Sequence, residues 1–540
     1  VNDTPASSSK CASASFGWDF PYPSQRMPVL ARNVVATSQP LAAQAGLAML
    51  QRGGNAVDAA LACAIALTVV EPTGNGLGSD AFALVWDGSR LHGLNASGRA
   101  PRAWSPERFR GRKAMPIRGW EAVTVPGAVA GWRALSERFG RLPFADLFEP
   151  ALRYAADGFL VSPTIARLWA AMAPVLVDQP GFAQAYLPEG RPPLPGERFA
   201  FPDLAESLAM IAGSQGESFY RGALAEKIVA HARAHDAAMT LDDLASHTVD
   251  WVESLAQPYR GYTLHEIPPN TQGIAALMAL GILSHFDLAS FPADSADSVH
   301  LQVEAMKLAF ADLYRYVADP AFMTVTPREL LDPAYLRQRA ALIDVHQASK
   351  FAHGHWGGGT VYLTAADASG MMVSFIQSNY MGFGSGVVVP GTGVSLQNRG
   401  AGFTLAEGHP NRVEGGKRPF HTLIPGFVTR DGAPVMSFGV MGGAMQAQGH
   451  VQMLVRLADY RQNPQAACDG PRWRLDPGGV LTVEHHMPAA TVDELRRRGH
   501  TVQVAPRWDT GFGRAQAILR LDDGYLGASD HRADGQAVGF

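Results

Sequence analysis

Three features of the sequence predict an α/β fold. Helical patterning dominates from about residue 126 to 345, three hairpin signals follow residue 359, and the character changes near residue 355. The composition fits a large buried core, with 47% apolar and only 17% charged residues, where about 25% charged is usual in soluble proteins. The 56 glycines and 37 prolines imply many tight turns.

In chain order, residues 1–28 read as an arm whose aromatics, Phe16, Trp18, Phe20 and Tyr22, pack onto the body. Ser38-Gln39-Pro40 opens a helix through Leu50, with proline in its first turn and Gly53-Gly54 ending it. Asn55 caps the next helix, which is apolar on nearly every face and therefore interior, and which stops at Pro72. A glycine loop, Thr73 to Asp80, then enters a strand over 81–86. No Lys-Ser/Thr pair and no helix follow it, so a phosphate cradle is a weak reading. Helices are expected over Ala128–Arg138, Pro143–Ala156, Pro202–Gly213 and Ser295–Tyr316, with a strand at Tyr262–Ile267. Hairpins are expected at Asp367-Ala368-Ser369-Gly370, Arg430-Asp431-Gly432 and Asp522-Asp523-Gly524.

Several functions are disfavoured. A net charge of −4 offers no electrostatic reason for nucleic acid or an anionic membrane. Cys11, Cys63 and Cys468 are too scattered for a disulfide framework or a metal knot. The longest apolar run, residues 59–70, falls short of the roughly 20 residues that span a bilayer. The polar start has no apolar signal segment, so the expectation is a cytoplasmic protein, or a periplasmic one had a leader been removed. His353 and His355 have metal-like spacing but no third ligand, so no metal and no cofactor is expected.

The chemistry points to Trp356-Gly357-Gly358-Gly359-Thr360, where a glycine tract delivers a hydroxyl residue into the run Val361-Tyr362-Leu363. Glycine permits the strained backbone through which a side-chain oxygen attacks the preceding carbonyl. Cleavage at Gly359–Thr360 would free an α-amine able to act as general base for the Thr360 hydroxyl. An ordinary loop entering a strand has the same local pattern. The hairpin adds a second observation. A three-residue loop with Gly370 left-handed pairs Asp367 with Met371 and, counted back along both strands, Thr360 with Ser378. A second hydroxyl then lies within roughly 5 Å at Cβ. A plain Thr–Ser cross-strand pair has the same geometry.

From about Val34 to Phe540 the chain resembles the gamma-glutamyltransferase family of N-terminal-nucleophile hydrolases. The resemblance is carried by residues 52–60 (RGGNAVDAA), Val125-Pro126-Gly127, the Gly359-Thr360 junction, Lys417-Arg418-Pro419, Gly442-Gly443 and Gly527-Ala528-Ser529-Asp530. It implies a four-layer αββα sandwich and synthesis as a precursor that cuts itself into 1–359 and 360–540. It implies Thr360 as nucleophile, Ser378 as the assisting hydroxyl, and Gly442 and Gly443 as oxyanion donors. The products would form a heterodimer acting on a small-molecule amide, with water or an amine as acceptor.

The family's anchors for a glutamyl head group do not carry over. Ser97 stands where the α-carboxylate arginine is expected, with Arg99 two residues on, and Gly402 replaces the acid that reads the α-amine. His421-Thr422 replaces a Ser-Ser pair, and Tyr380 an asparagine. Losing ionic anchors from a dry site is not a conservative change. The substrate-binding candidates are therefore Ser97, Arg99, Tyr380, Arg399, His421 and Thr422. Arg99 and Arg399 either rebuild an anion site or pair with nearby carboxylates, and His421 either touches substrate or is structural. The expected activity is amide hydrolysis or acyl transfer through an acyl-enzyme. True γ-glutamyl transfer, an acylase for acylated β-lactam or oxamate-type amides, and an unprocessed binding protein stay open as alternatives.

Overall fold

The computed structural model describes Tyr22, residues 24–350 and residues 360–540. Gly359, His353, His355, Cys11, Phe16, Trp18 and Phe20 lie outside the described residues. Tyr22, expected to pack onto the body, is instead 83% exposed. Arg26 is held on the body by its guanidinium, which donates to Asp530 O and Gly535 O.

Asn55 accepts from Val57 N and Asp58 N while Asp58 reaches back to Asn55 N, a complete capping box. That cap opens the helix Ala56–Val70 (α2), which follows Pro40–Gln51 (α1). All fifteen α2 residues are buried, as an all-round apolar helix requires. Cys63 on α2 is buried and free, its thiol pushed up to about 12 by burial. Ala128–Phe139 (α3), Gly273–Leu283 (α4), Ala296–Tyr316 (α5) and Met445–Ala458 (α6) complete the helices that frame the core. The expected helix Pro143–Ala156 is instead a 3₁₀ turn, Phe144–Phe148, followed by a new helix, Glu149–Ala156. Pro150 has no N–H to continue the first turn, so it sits in the first turn of the second helix.

Two seven-stranded antiparallel sheets lie face to face. Their strands are Val29–Ala31 (β1), Val34–Thr37 (β2), Asp80–Trp86 (β3), Leu91–Ala96 (β4), Asp250–Val252 (β5), Leu255–Tyr259 (β6), Tyr262–Glu266 (β7), Val361–Ala366 (β8), Met372–Ser378 (β9), Gly426–Arg430 (β10), Ala433–Val440 (β11), Ala515–Leu521 (β12), Gly524–Ser529 (β13) and Gln536–Gly539 (β14). One sheet runs β14-β2-β8-β9-β3-β4-β5 and the other β1-β13-β12-β11-β10-β7-β6. The helices α1, α2 and α3 cover the first sheet, and α4 and α6 cover the second, with α5 packed against them. The result is the four-layer αββα sandwich. Between the sheets, Thr364 Oγ1 meets Ser437 Oγ at 2.6 Å and the Tyr362 ring lies against Gly439, where a Cβ would sit 2.3 Å from the ring.

The β8–β9 hairpin has the register read from its turn, from Val361 opposite Gln377 to Ala366 opposite Met372. Gly370 is left-handed, with φ 93°, and Asp367 N donates to Met371 O. Asp367 also accepts from Ala56 N, tying the hairpin to the positive end of α2. The other two hairpins join β10 to β11 and β12 to β13. No helix among the described residues is long and apolar enough to cross a membrane.

Candidate active site

Thr360 immediately precedes β8, fully buried, and its Oγ1 donates to Ser378 Oγ at 3.4 Å. Ser378 closes β9 and is paired across the sheet with Asp80, the first residue of β3. Three polar residues thus stand at the same end of three adjacent strands, Thr360 just ahead of β8 and Ser378 and Asp80 within the ladder of β9 and β3. The Ser378 Oγ also accepts from Tyr380 N at 2.6 Å. Tyr380 is at φ +81°, a conformation costly for a residue with a side chain. Behind Thr360 runs the 73–80 glycine loop, where a Cβ on Gly74 would lie 3.3 Å from the Thr360 carbonyl carbon. That loop serves as backing for Thr360. Gly76 N donates to Ser79 Oγ, and Ser79 Oγ donates to Asn379 Oδ1.

Gly442 (φ 118°) and Gly443 (φ 62°) form a left-handed turn that leads into α6. Among the described residues no backbone carbonyl accepts from either N–H. Two adjacent free donors at a helix N-terminus suit a developing oxyanion. Gly442 and Thr73 share the wall of a cleft of about 670 Å³, with Met445, Leu475 and Pro506 around it. Gln272, which sequence reasoning missed, donates to both Gly443 O and Thr422 O, and so ties the glycine turn to the segment that carries Thr422. Nothing in the local sequence marks Gln272, since its partners are far away along the chain.

The candidate anchors separate. Ser97 is buried and committed: its Oγ donates to Asn95 Oδ1 at 2.7 Å and its carbonyl accepts from Arg418 Nε. Arg99 does not join the site. Its side chain is 45% exposed and is engaged with Asp319 and Gly416 O. His421 is also drawn away from a substrate role. Its Nδ1 accepts from Leu423 N, so its Nε2 carries the proton and donates to Asp80 Oδ2 at 3.1 Å. Burial drives its pKa well below 6.5, and Arg399 and Arg418 push it further down. Gly402 cannot carry an acid in this backbone, because a Cβ there would sit 2.4 Å from Phe420 O.

Arg399, Tyr380 and Thr422 do come together. Arg399 Nη1 donates to Thr422 Oγ1 at 2.8 Å, and the guanidinium carbon lies 4.4 Å from the Tyr380 ring centre. Burial lowers the Arg399 pKa to about 10, opposed by nearby Asp80, so the group stays charged at neutral pH. Asp80, also missed from sequence, is raised to about 7 by burial, against the pull of Arg399 and of hydrogen bonds from Gly98 N and Gly127 N.

One other group has metal-like donors among the described residues. His300, Glu304 and His500 offer atoms within 4.8 Å of one another. Their atoms are already spent. His300 bonds His500 and Asp344 O, each at 2.8 Å, and Glu304 takes the Lys307 ammonium at 2.7 Å and Ser349 N at 3.1 Å. Lys307 supplies the positive charge that a metal would bring.

A four-layer αββα sandwich with a threonine at the head of a central strand defines an amidohydrolase of the N-terminal-nucleophile type. The chain belongs to the gamma-glutamyltranspeptidase family, whose sequence profile matches residues 42–540. It is 38% identical over 518 residues to the "Glutathione hydrolase-like YwrD proenzyme" of Bacillus subtilis (strain 168), covering 94% of this chain and 98% of that one. It is 39% identical over 514 residues to the "Oxamate amidohydrolase proenzyme" of Klebsiella pneumoniae, covering 93% and 97%. Among solved structures it is similar to cephalosporin acylase from Bacillus halodurans, with TM-score 0.93, 47% identity and coverage of 97% and 99%.

Proposed function

We propose that the chain is a proenzyme that cuts itself before Thr360, and that the freed Thr360 then hydrolyses an amide whose acyl group is not γ-glutamyl. The observation that carries this reading is the buried Thr360 Oγ1 bonded to Ser378 at the head of β8. In maturation, Thr360 Oγ1 attacks the Gly359 carbonyl carbon, the C–N bond breaks, and water resolves the resulting ester to a Gly359 carboxylate and a Thr360 α-amine. In turnover, the amine takes the hydroxyl proton as Oγ1 attacks the substrate carbonyl, then passes it to the departing amine. Ser378 fixes the attacking oxygen, and the N–H groups of Gly442 and Gly443 receive the oxyanion, each such donor typically worth about 2.7–4 kcal/mol. Water, or an amine in its place, releases the acyl group, and the product is a heterodimer of 1–359 and 360–540.

The commitment of Ser97 and the closed space at Gly402 support a non-glutamyl acyl group. The names of two relatives, an oxamate amidohydrolase and a cephalosporin acylase, point the same way. True γ-glutamyl transfer is the second reading, favoured by the glutathione hydrolase-like relative and by the more distant glutathione hydrolase proenzymes of Bacillus subtilis and Escherichia coli, 29% and 30% identical.

A denaturing gel tests the first step. The 57.7 kDa chain should give fragments of about 38 and about 19 kDa in proportion to length, and Thr360→Ala should remain whole. A wild-type chain that stays single after long incubation would reveal an unprocessed binding protein. A Thr360→Ala chain that still splits would move the nucleophile elsewhere.

A further inference from the structure

The cleft of about 670 Å³ beside the glycine turn holds polar groups that the chemistry so far does not use. The helix Pro163–Leu176 lines it through Leu168 and Met172. A three-stranded sheet, Trp473–Leu475, Leu481–Val483 and Val502–Val504, lines it through Leu475, Thr482 and Val504. Thr73 and Arg514 line it beside Gly442. Thr73 is 4% exposed, and its hydroxyl has no partner among the described residues. Arg514 is 6% exposed, and its Nε has none either. The guanidinium makes one contact among those residues, from Nη1 to Glu71 Oε1 at 3.3 Å. Burial raises the Glu71 carboxyl to about 7, against Arg514 and the Ser38 hydroxyl, so at neutral pH it offsets only part of the Arg514 charge. Buried donors left unmade are costly, and two of them on one wall call for an acceptor.

The acids on the same wall are spent. Arg474 Nε donates to Asp476 at 2.6 Å, and Arg474 Nη1 stands 3.6 Å from Asp509. Thr482 Oγ1 also donates to Asp476, and Gly511 N to Asp509. The two free donors both lie close to the reacting groups. Arg514 O accepts from the N–H of Met441, the neighbour of Gly442, and Thr73 precedes Gly74, which backs Thr360.

The cleft also lies on a definite side of the glycine turn. Ser97, Arg399, His421 and Thr422 do not line it, and Gln272 ties Thr422 to Gly443 rather than to Gly442. An amide carbonyl with its oxygen on the turn sends its acyl chain one way and its amine the other. The amine must depart and water must enter while the acyl group stays bonded to the enzyme, so the side with open volume serves the amine.

Resting on the reading of Thr360 as nucleophile, we propose that this cleft is the subsite of the departing amine, where Arg514 and Thr73 bind an anionic group carried by that amine. The leaving group is then an amine with an apolar body and a carboxylate, such as an aminobenzoate or a short peptide, rather than ammonia. Leu168, Met172, Met445, Leu475 and Pro506 offer the apolar surface, and the guanidinium and hydroxyl offer donors to the carboxylate.

The test uses pentanoyl and glutaryl amides of 4-aminobenzoate and of its neutral analogue 4-aminobenzamide, on purified processed enzyme. Within each acyl series the wild type should favour the aminobenzoate in kcat/KM by about tenfold. Arg514→Gln should erase that preference and leave the pentanoyl-to-glutaryl ratio where it was. Thr73→Val, which removes a hydroxyl with no partner in the body, should lower the preference in part without lowering the melting temperature. Equal rates on the two amines in wild type, or an unchanged ratio in Arg514→Gln, would overturn the proposal. So would a change in the acyl ratio alone, which would put the acyl group in the cleft. Should Arg514→Gln not fold, calorimetry of 4-aminobenzoate against 4-aminobenzamide on the wild type decides, with equal affinity counting against the subsite. Turnover by Thr360→Ala would sink the nucleophile instead, and the same calorimetry would still read the cleft.

Discussion

The two ends of the proposed active site are built differently. At the proposed nucleophile end, Thr360, Ser378 and Asp80 stand on or beside adjacent strands whose registers are set by backbone hydrogen bonds. At the proposed acyl end, Ser97, Tyr380 and Thr422 stand outside the strands and Arg399 opens a 3₁₀ turn, and side chains place them: Tyr380 and Thr422 hold Arg399, and Asn95 holds Ser97. A ladder constrains position whatever the side chain, so the nucleophile end can keep its geometry while residues around it change. A side-chain cage is rebuilt whenever one member changes, and that is where substrate choice can shift at little cost to the fold.

The contrast can be broken from either end. The largest effect is expected from Gly442→Ala. At φ 118° an alanine is strained, and the turn that aims two N–H groups should move, lowering kcat by about 10²–10³ with little change in KM in steady-state assays. Ser378→Ala should slow the splitting of the chain by about one to two orders of magnitude on a timed gel, and Ser378→Thr should restore it, since a hydroxyl is what the register supplies. Gly402→Asp, which writes the family's acid back into place, should fail to create γ-glutamyl activity. A side chain there meets Phe420 O, so melting should fall by a few degrees, as for about 1–3 kcal/mol of overpacking. Cleavage of the γ-glutamyl anilide by that variant would show that the cage adapts more freely than its packing suggests.

The smallest effect concerns pH. Asp80 faces Arg399, Arg418, His421 and, at longer range, Tyr220. Its carboxyl titrates near 7. Below that pH it is neutral and leaves the Arg399 charge uncompensated, and above it the two charges offset each other. KM for an amide substrate should change several-fold as pH passes through about 7, and Asp80→Asn should flatten that change.

The same contrast explains what could be read in the sequence. The β8–β9 register followed from one turn glycine, Gly370, and the α2 cap from Asn55 and Asp58, because both are local signals. Pro202–Gly213 was legible end to end for the same reason. Asp80 passed as the end of a glycine loop, since its meaning arises only when β3 lies beside β9. Arg99 and Arg399 were indistinguishable as candidates. Only the distant partners of each, Asp319 and Gly416 for one and Tyr380 and Thr422 for the other, separate a spent arginine from one with donors to offer.

The order of strands carries a consequence for the life of the protein after a cut before Thr360. Five ladders would still join the two products: β2 with β8, β2 with β14, β9 with β3, β13 with β1, and β10 with β7. Neither fragment owns a complete sheet. Parting the subunits would therefore require tearing both sheets open, so the fragments should not exchange between molecules under native conditions. Severing the backbone changes the chemistry of one residue while leaving the molecule mechanically a single woven piece.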